Sequence, residues 1–196
     1  MMPLRYVTDF ADQAVVLPLA VVIGVAMLAA GWRRGAVAWV VAIGGMLGVM
    51  LVLKLWAGTC GPVVVGDDLQ SPSGHTASAA AIYGGGLALL IRRVWPRVPF
   101  AFVAAGALAV VVGATRVLLG AHSVLEVVIG GCVGVGAATL LARAAGPMPQ
   151  RFRSLPAAGA VLLTLLVFHG LHLPAEAAIR NVRLDWMPSG MCRLSL

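Results

Sequence analysis

Long apolar segments alternate with short polar stretches along the whole chain. Each segment has roughly the 17 to 25 residues that a helix needs to cross a lipid bilayer. The segments are residues 14–32, 36–56, 76–91, 100–119, 124–142 and 156–173. This pattern predicts an all-α, polytopic membrane bundle of about six transmembrane helices. Little of the chain is left for a separate soluble domain, so we expect a membrane domain over residues 1–173 and a tail over residues 174–196.

The composition agrees with a membrane protein. Hydrophobic residues make up 61% of the chain and charged residues 11%, a balance far from that of ordinary soluble domains. Residues 1–13 differ from the rest because they contain Arg5, Asp9 and Asp12. We interpret them as an amphipathic segment at the membrane interface, since a cleavable signal peptide would begin with a basic region.

The arginines predict the orientation of the bundle. Loops after the first, third and fifth segments contain Arg33, Arg34, Arg92, Arg93, Arg97, Arg143, Arg151 and Arg153. By the positive-inside rule these loops are cytoplasmic, so both termini, residues 57–74 and the turn at His122 lie on the outer side. Topology and anionic headgroups then account for the net charge of +7, and we expect no nucleic-acid partner.

Several polar side chains occur near the predicted outer ends of the apolar segments. They are Lys54, His75, Arg116, His122 and Glu126. The topology that follows from the arginine-rich loops does not depend on these five residues. It nevertheless places all five at the same membrane face. Because charged groups near a bilayer are costly and usually functional, this coincidence indicates a site.

The chemistry of these residues suits a phosphate group. His122 and Glu126 are one helical turn apart, so the carboxylate can accept a proton from one imidazole nitrogen and leave the other as a nucleophile. Lys54 and Arg116 supply positive charge. The backbone N–H groups at Ser73 and Gly74, near a helix start, are further anion donors.

Simpler interpretations exist for each residue taken alone. Lys54 and Arg116 are compatible with snorkelling at helix ends, and His122 with Glu126 is compatible with a structural hydrogen bond. The "PSGH" stretch before the third segment also fits a turn and helix cap. We assign His169 and His172 to the interface, and no pair of histidines has a recognised metal-ligand spacing.

Glycines are frequent in the predicted helices, and we expect them to allow close helix packing. They are Gly44, Gly45, Gly48, Gly84, Gly85, Gly86, Gly130, Gly131, Gly134 and Gly136.

Three motifs in order resemble the type 2 phosphatidic acid phosphatase superfamily of membrane lipid phosphatases, which is related to vanadium-dependent haloperoxidases. The pattern of that family is Lys-x6-Arg-Pro, then Pro-Ser-Gly-His, then Ser-Arg-x5-His-x3-Asp. The first motif is similar to "KLWAGTCGP" from Lys54, and the second is complete at residues 72–75. The third is similar to "TRVLLGAHSVLE", with Thr115 for the serine and Glu126 for the aspartate.

The resemblance implies a role for each matching residue. His122 would attack phosphorus and form a phosphohistidine, Glu126 would orient it, and His75 would act as general acid and then general base. The phosphate ligands would be Lys54, Ser73, Gly74 and Arg116. The resemblance implies no metal and no other cofactor, because the cationic side chains neutralise the phosphate.

One departure from the family is serious, since Gly61 stands where the family has a phosphate-binding arginine. Cys60 adjoins this position, and Cys192 adjoins Arg193 in the tail. In an oxidising compartment, a Cys60–Cys192 disulfide would bring Arg193 to the vacant position while Cys132 stays buried in its helix. The alternative is two free thiols, with the arginines of the tail facing headgroups.

These observations favour a lipid phosphatase of a bacterial inner membrane whose active site faces the periplasm. Its substrate would be a lipid phosphate or diphosphate, such as a polyprenyl diphosphate, phosphatidate, phosphatidylglycerol phosphate or the phosphate of lipid A. Two alternatives stay open: a phosphotransferase in which a second lipid replaces water, and a noncatalytic lipid-binding or transport protein that kept the pocket.

Overall fold

A computed structural model describes residues 2–94, 99–150, 152, 154–186 and 192. Within these residues every regular element is a helix. The helices are α1 (Met2–Asp9), α2 (Gln13–Ala29), α3 (Arg33–Val64), α4 (Gly74–Ser78), a π-helical turn (Ala79–Gly84), α5 (Gly85–Val94), α6 (Pro99–Leu118), α7 (Val124–Ala144), α8 (Ser154–Phe168) and α9 (Ala175–Trp186). The all-α prediction is therefore confirmed for the described part of the chain.

Several of these helices suit an integral membrane protein. Among the described residues, four stretches are long and apolar enough to cross a bilayer: Met2–Ala29, Arg33–Val64, Gly74–Arg93 and Val124–Ala144. Two shorter apolar helices, Phe102–Leu118 and Pro156–Phe168, fall at the fourth and sixth predicted spans. Four of the six spans thus meet the length requirement, and six spans stay a prediction.

The continuous helix made by α4, the π-helical turn and α5 lies at the centre of the bundle. It packs against α2, α3, α6 and α7. Small side chains fill this position, and Ala77, Ala79, Ala80 and Ala81 are almost completely buried. Burial on all sides explains why this segment has no polar face along its middle.

Helix α3 is longer than its apolar pattern predicted. The expected end at residue 56 is wrong, because backbone hydrogen bonding continues through Val64 and the chain turns only at Gly66, whose φ is +94°. The hydroxyl of Thr59 donates to the Leu55 carbonyl at 2.9 Å within this extension. Lys54 consequently lies inside the helix and is buried, whereas the sequence placed it near a helix end.

The glycines follow the packing prediction only in part. Gly84, Gly85, Gly130, Gly131 and Gly134 lie against neighbouring helices, and a Cβ carbon at Gly84 would be 2.6 Å from Cα of Ala105. The prediction is wrong for Gly44, Gly45, Gly48, Gly86 and Gly136, which have no atom within 4 Å of such a carbon. Cys132 is also exposed rather than buried, because the glycines beside it take the packed face of α7.

The N-terminal helix α1 and the residue that follows it contact α6, the central helix and the segment after α8. The Tyr83 hydroxyl donates to the Phe10 carbonyl at 2.6 Å, and α1 packs against α6. His169 lies against the rings of Tyr6 and Phe10, and His172 is 3.3 Å from a carboxylate oxygen of Asp9. The interfacial position of these residues stays a prediction.

Candidate active site

The "PSGH" turn starts the central helix and is fixed from two sides. Ser73 caps α4, with its hydroxyl oxygen accepting from Thr76 N at 3.4 Å. The backbone N–H of Ser73 donates to the Glu126 carbonyl at 3.0 Å. Gly130 on α7 lies directly under the Ser73 carbonyl, where no side chain would fit. The first turn of α4 is therefore held against the first turn of α7.

His122 and Glu126 form the pair that the spacing predicted. The Nδ1 atom of His122 lies 2.8 Å from Oε2 of Glu126, and both side chains are buried. The carboxylate is an acceptor, so Nδ1 carries the proton and Nε2 keeps its lone pair. The sequence did not reveal that the backbone N–H groups of Gln70 and Ser71 donate to Oε1 of Glu126, at 2.8 and 2.6 Å.

The environment of His122 favours the neutral imidazole. Burial lowers its pKa, and the hydrogen bond and charge of Glu126 oppose that effect. The positive charges of Arg116 and Lys54 lower it further, so that the pKa of His122 lies below its ordinary value of 6.5. A neutral imidazole is the form that acts as a nucleophile.

The two predicted cations are both present at this end of the bundle. The buried Lys54 ammonium donates to the Ser71 hydroxyl at 3.0 Å. Lys54 also lies beside the start of α4, because a Cβ carbon at Gly74 would be 3.5 Å from its Cε atom. Arg116 contacts Thr8 at 3.5 Å, and its Nε is buried without a hydrogen-bond partner among the described residues. A buried, unpartnered donor fits a site for an anionic ligand.

His75 has a partner that the sequence did not identify. Its Nε2 lies 3.7 Å from a carboxylate oxygen of Asp12, which the pattern had assigned to an interfacial segment. The other oxygen of Asp12 caps α2 at Ala14 N, at 2.8 Å, and accepts from Leu173 N at 3.2 Å. No local motif marks Asp12, because the contact joins residues far apart in the chain.

A cavity of about 130 Å³ opens beside these residues. Its polar lining includes Lys54, Gly74, His75, Gln13 and Glu176, and its apolar lining includes Met46, Leu47, Met50 and Leu51 on the adjoining face of α3. A larger apolar cavity of about 430 Å³ lies between α2, α5 and α8, and none of the predicted site residues lines it. Of the predicted site residues, Lys54, Gly74 and His75 line the smaller cavity. The lining does not include the other four, which are Ser73, Arg116, His122 and Glu126.

Comparison with known protein families agrees with this geometry. A model of the PAP2 superfamily matches residues 35–147, more than half of the chain. The chain belongs to the PAP2 superfamily. Members of this superfamily are phosphatases, which supports a hydrolase. No curated protein and no solved structure matched the chain.

Two acidic residues of the pocket fall outside the PAP2 match. Asp12 precedes it, and Glu176 follows it on α9. Glu176 forms an ion pair with Lys54, and its second oxygen accepts from the Ser71 hydroxyl at 3.0 Å. The sequence predicted only a tail without a role here, since nothing in the local pattern around Glu176 points to a contact with Lys54.

Backbone occupies the position at which the motif resemblance implies an arginine. Gly61 lies inside α3, and a Cβ carbon there would overlap the Leu69 carbonyl oxygen. The neighbouring Cys60 is joined to Cys192 as a disulfide, with Cα atoms 5.2 Å apart. Arg193, the residue suggested as a substitute for the arginine, lies outside the described residues.

Metal ligands were not expected in this PAP2 protein. Among the described residues, no group of three or more His, Cys, Asp or Glu side chains is arranged to hold a metal ion. The absence of a metal or other cofactor from the reaction stays a prediction.

Proposed function

We propose that this PAP2 protein is an integral membrane phosphatase that hydrolyses a lipid phosphate or diphosphate through a phosphohistidine on His122. The observation that carries the proposal is the buried contact between His122 and Glu126 in a chain that belongs to a phosphatase superfamily. The carboxylate accepts a hydrogen bond from the Nδ1–H group, which leaves the lone pair of Nε2 free to attack. Lys54 and Arg116 provide positive charge for the phosphoryl oxygens.

The first step transfers the phosphoryl group to the protein. Nε2 of His122 bonds to phosphorus while the bond between phosphorus and the lipid oxygen breaks, and protonated His75 gives its proton to the departing oxygen. Glu126 stabilises the positive charge that develops on the His122 ring. The Asp12 carboxylate lies 3.7 Å from Nε2 of His75, close enough to help fix the orientation of the ring.

The second step restores the enzyme. A water oxygen bonds to phosphorus, the bond between phosphorus and His122 breaks, and His75 accepts a proton from that water. The products are inorganic phosphate and a lipid alcohol, or a lipid monophosphate when the substrate is a diphosphate. The Ser73 side chain and the Gly74 N–H would bind the phosphoryl oxygens during both steps.

A lipid substrate is supported by the position of the cavity in the bundle. Lys54 is 21 residues after Arg33 on one continuous helix. At about 1.5 Å per residue this is roughly 32 Å, close to the hydrocarbon thickness of a bilayer of about 30 Å. If Arg33 lies at one headgroup layer, Lys54 lies at the other, beside apolar side chains of α3 that suit a hydrocarbon chain.

The proposed topology has six spans, with the active site and both termini on the outer side of a bacterial inner membrane. The arginine-rich loops support this orientation through the positive-inside rule. The disulfide between Cys60 and Cys192 supports it independently, because disulfides persist in an oxidising compartment such as the periplasm.

The test is phosphate release from a panel of lipid phosphates in detergent micelles, with and without reductant. The panel contains phosphatidate, phosphatidylglycerol phosphate, lipid A phosphate and a polyprenyl diphosphate. Wild-type protein should release phosphate from at least one member, and the His122→Ala variant should not. Equal release by the two proteins would contradict the proposal. Transfer of labelled phosphate to a lipid acceptor would identify a phosphotransferase, and lipid binding without either reaction would identify a noncatalytic protein.

A further inference from the structure

We infer that the carboxylate of Glu176 occupies the phosphate site when no substrate is bound, so that α9 acts as an autoinhibitory latch which a phosphate group must displace. This role for Glu176 rests on one part of the proposed function, namely that Lys54 binds the phosphate of the substrate. The PAP2 match ends at residue 147, so the latch belongs to a part of the chain outside that match.

The contacts of Glu176 are those expected of an anion in the site. One oxygen is paired with the Lys54 ammonium, and the other accepts from the Ser71 hydroxyl at 3.0 Å. Lys54 itself donates to the same hydroxyl at 3.0 Å. A carboxylate thus presents two oxygens and a negative charge to two donors, as two oxygens of a phosphoryl group would.

The negatively charged Glu176 carboxylate and a phosphate dianion cannot both bind favourably beside Lys54. Burial raises the pKa of Glu176, but the charge of Lys54 and hydrogen bonds from Lys54 and Ser71 outweigh burial and hold it below 4.5. Glu176 is therefore ionised at neutral pH. A phosphate dianion bound to Lys54 would lie against this carboxylate, and the repulsion would favour departure of the glutamate.

The segment that carries Glu176 is fixed near both ends. Before α9, Leu173 N donates to Asp12 at 3.2 Å, and beyond α9 the disulfide joins Cys192 to Cys60 on α3. These attachments give the carboxylate a high effective concentration beside Lys54. The side chain of Glu176 is nevertheless 54% exposed, so it can leave Lys54 without unpacking the core.

When Glu176 occupies the site, phosphate can bind only to the fraction of the protein in which this carboxylate has left Lys54. The apparent affinity for phosphate is lowered by that fraction. For a half-exposed ion pair with two hydrogen bonds, we expect this factor to be about 5 to 30. Removing the charge of Glu176 should remove the competition and tighten binding by the same factor. The binding of an anion alone is enough to observe this effect, and no chemical step is needed.

The experiment measures binding of inorganic phosphate to the full-length, oxidised protein in detergent at pH 7.5 by isothermal titration calorimetry. Glu176→Gln and Glu176→Ala should both lower the Kd by about 5- to 30-fold. Asp67→Asn is the matched control, because it removes one negative charge from an exposed side chain in the loop before the site. This control should change the Kd by less than about two-fold.

A double-mutant cycle tests whether the effect passes through Lys54. In a Lys54→Met background, Glu176→Gln should leave phosphate binding unchanged, since the contested ligand is gone. Equal or weaker phosphate binding by Glu176→Gln, or no measurable binding by that variant, would overturn the latch. Tighter binding by Glu176→Gln in a protein that releases no phosphate from any lipid would support the latch and contradict the phosphatase.

Discussion

Gly61 on α3 lies directly against the backbone carbonyl of Leu69, at the position where the motif resemblance implies an arginine. A Cβ carbon at position 61 would overlap the Leu69 oxygen, so no side chain fits without movement of the loop. The sequence predicts a vacant position beside Cys60 that Arg193 would fill. The packing shows instead that backbone fills this position, so the proposed phosphate site has no side chain there.

The packing at Gly61 predicts that restoring the family arginine fails. Gly61→Ala should destabilise the protein by about 1–3 kcal/mol through overpacking, and Gly61→Arg by more. For a chain of this size the apparent melting temperature of Gly61→Ala should fall by about 3 to 10 °C. Gly44→Ala is the control on the same helix, because nothing lies within 4 Å of its added carbon. A gain of phosphatase activity in Gly61→Arg would contradict this prediction.

Glu126 should control both the rate and the acid limb of the pH profile. His122 attacks as a neutral imidazole, and its pKa lies below 6.5, so the acid limb of the kcat/KM profile should lie below pH 6.5. Glu126 opposes the lowering of the His122 pKa by burial, and Glu126→Gln should therefore move the acid limb to still lower pH. The same variant should lose about 10²- to 10⁴-fold in kcat, because the ring is no longer oriented.

Glu126→Asp is the matched variant for this prediction. It keeps the charge but has a shorter reach toward the N–H groups of Gln70 and Ser71, and we expect a loss of about ten-fold in kcat. Rate measurements from pH 4.5 to 9 on the three proteins provide the check. An acid limb that moves to higher pH in Glu126→Gln would show that the carboxylate does not act on His122 as described.

Asp12 should influence the chemistry and the stability separately. Asparagine keeps the acceptor for Ala14 N and Leu173 N but removes the charge near His75. Asp12→Asn should therefore lower kcat by about 5- to 20-fold with little change in KM or melting temperature. Asp12→Ala should also lose about 1 kcal/mol of stability with the helix cap. If Asp12→Asn has the kcat of the wild type, the charge of Asp12 does not affect the chemistry of His75.

The disulfide should stabilise the fold and hold the latch in place. Cys60 and Cys192 are 132 residues apart in the chain, so Cys60→Ser should lower the free energy of unfolding by about 2–4 kcal/mol. With one end of the segment released, phosphate binding should also become tighter, by less than the full effect of Glu176→Gln. Cys132→Ser is the control, because Cys132 is a free thiol. Calorimetry of the oxidised variants tests both effects, and phosphate binding that weakens in Cys60→Ser would contradict the second one.

Local patterns were sufficient for much of this protein. Apolar length alone predicted helices of the right kind, because each helix satisfies its own backbone hydrogen bonds whatever surrounds it. The one-turn spacing of His122 and Glu126 also predicted their contact. His122 itself lies in the turn before α7, and Ser123 between them is the N-cap of that helix. The end of α3 was not predictable in this way, because hydropathy changes near residue 56 while hydrogen bonding continues to Val64.

The sequence by itself determined the helical class, the family motifs and the His122–Glu126 pair, all of which depend on short spacings along the chain. Only the tertiary structure decided which residues from distant parts of the chain contact the motif residues. Asp12 reaches His75 and Glu176 reaches Lys54 across separations that no periodic pattern encodes. The overlap that excludes a side chain at Gly61 likewise depends on where the following loop folds back. Such contacts are set by the packing of whole helices against one another, and short spacings along the chain do not encode them.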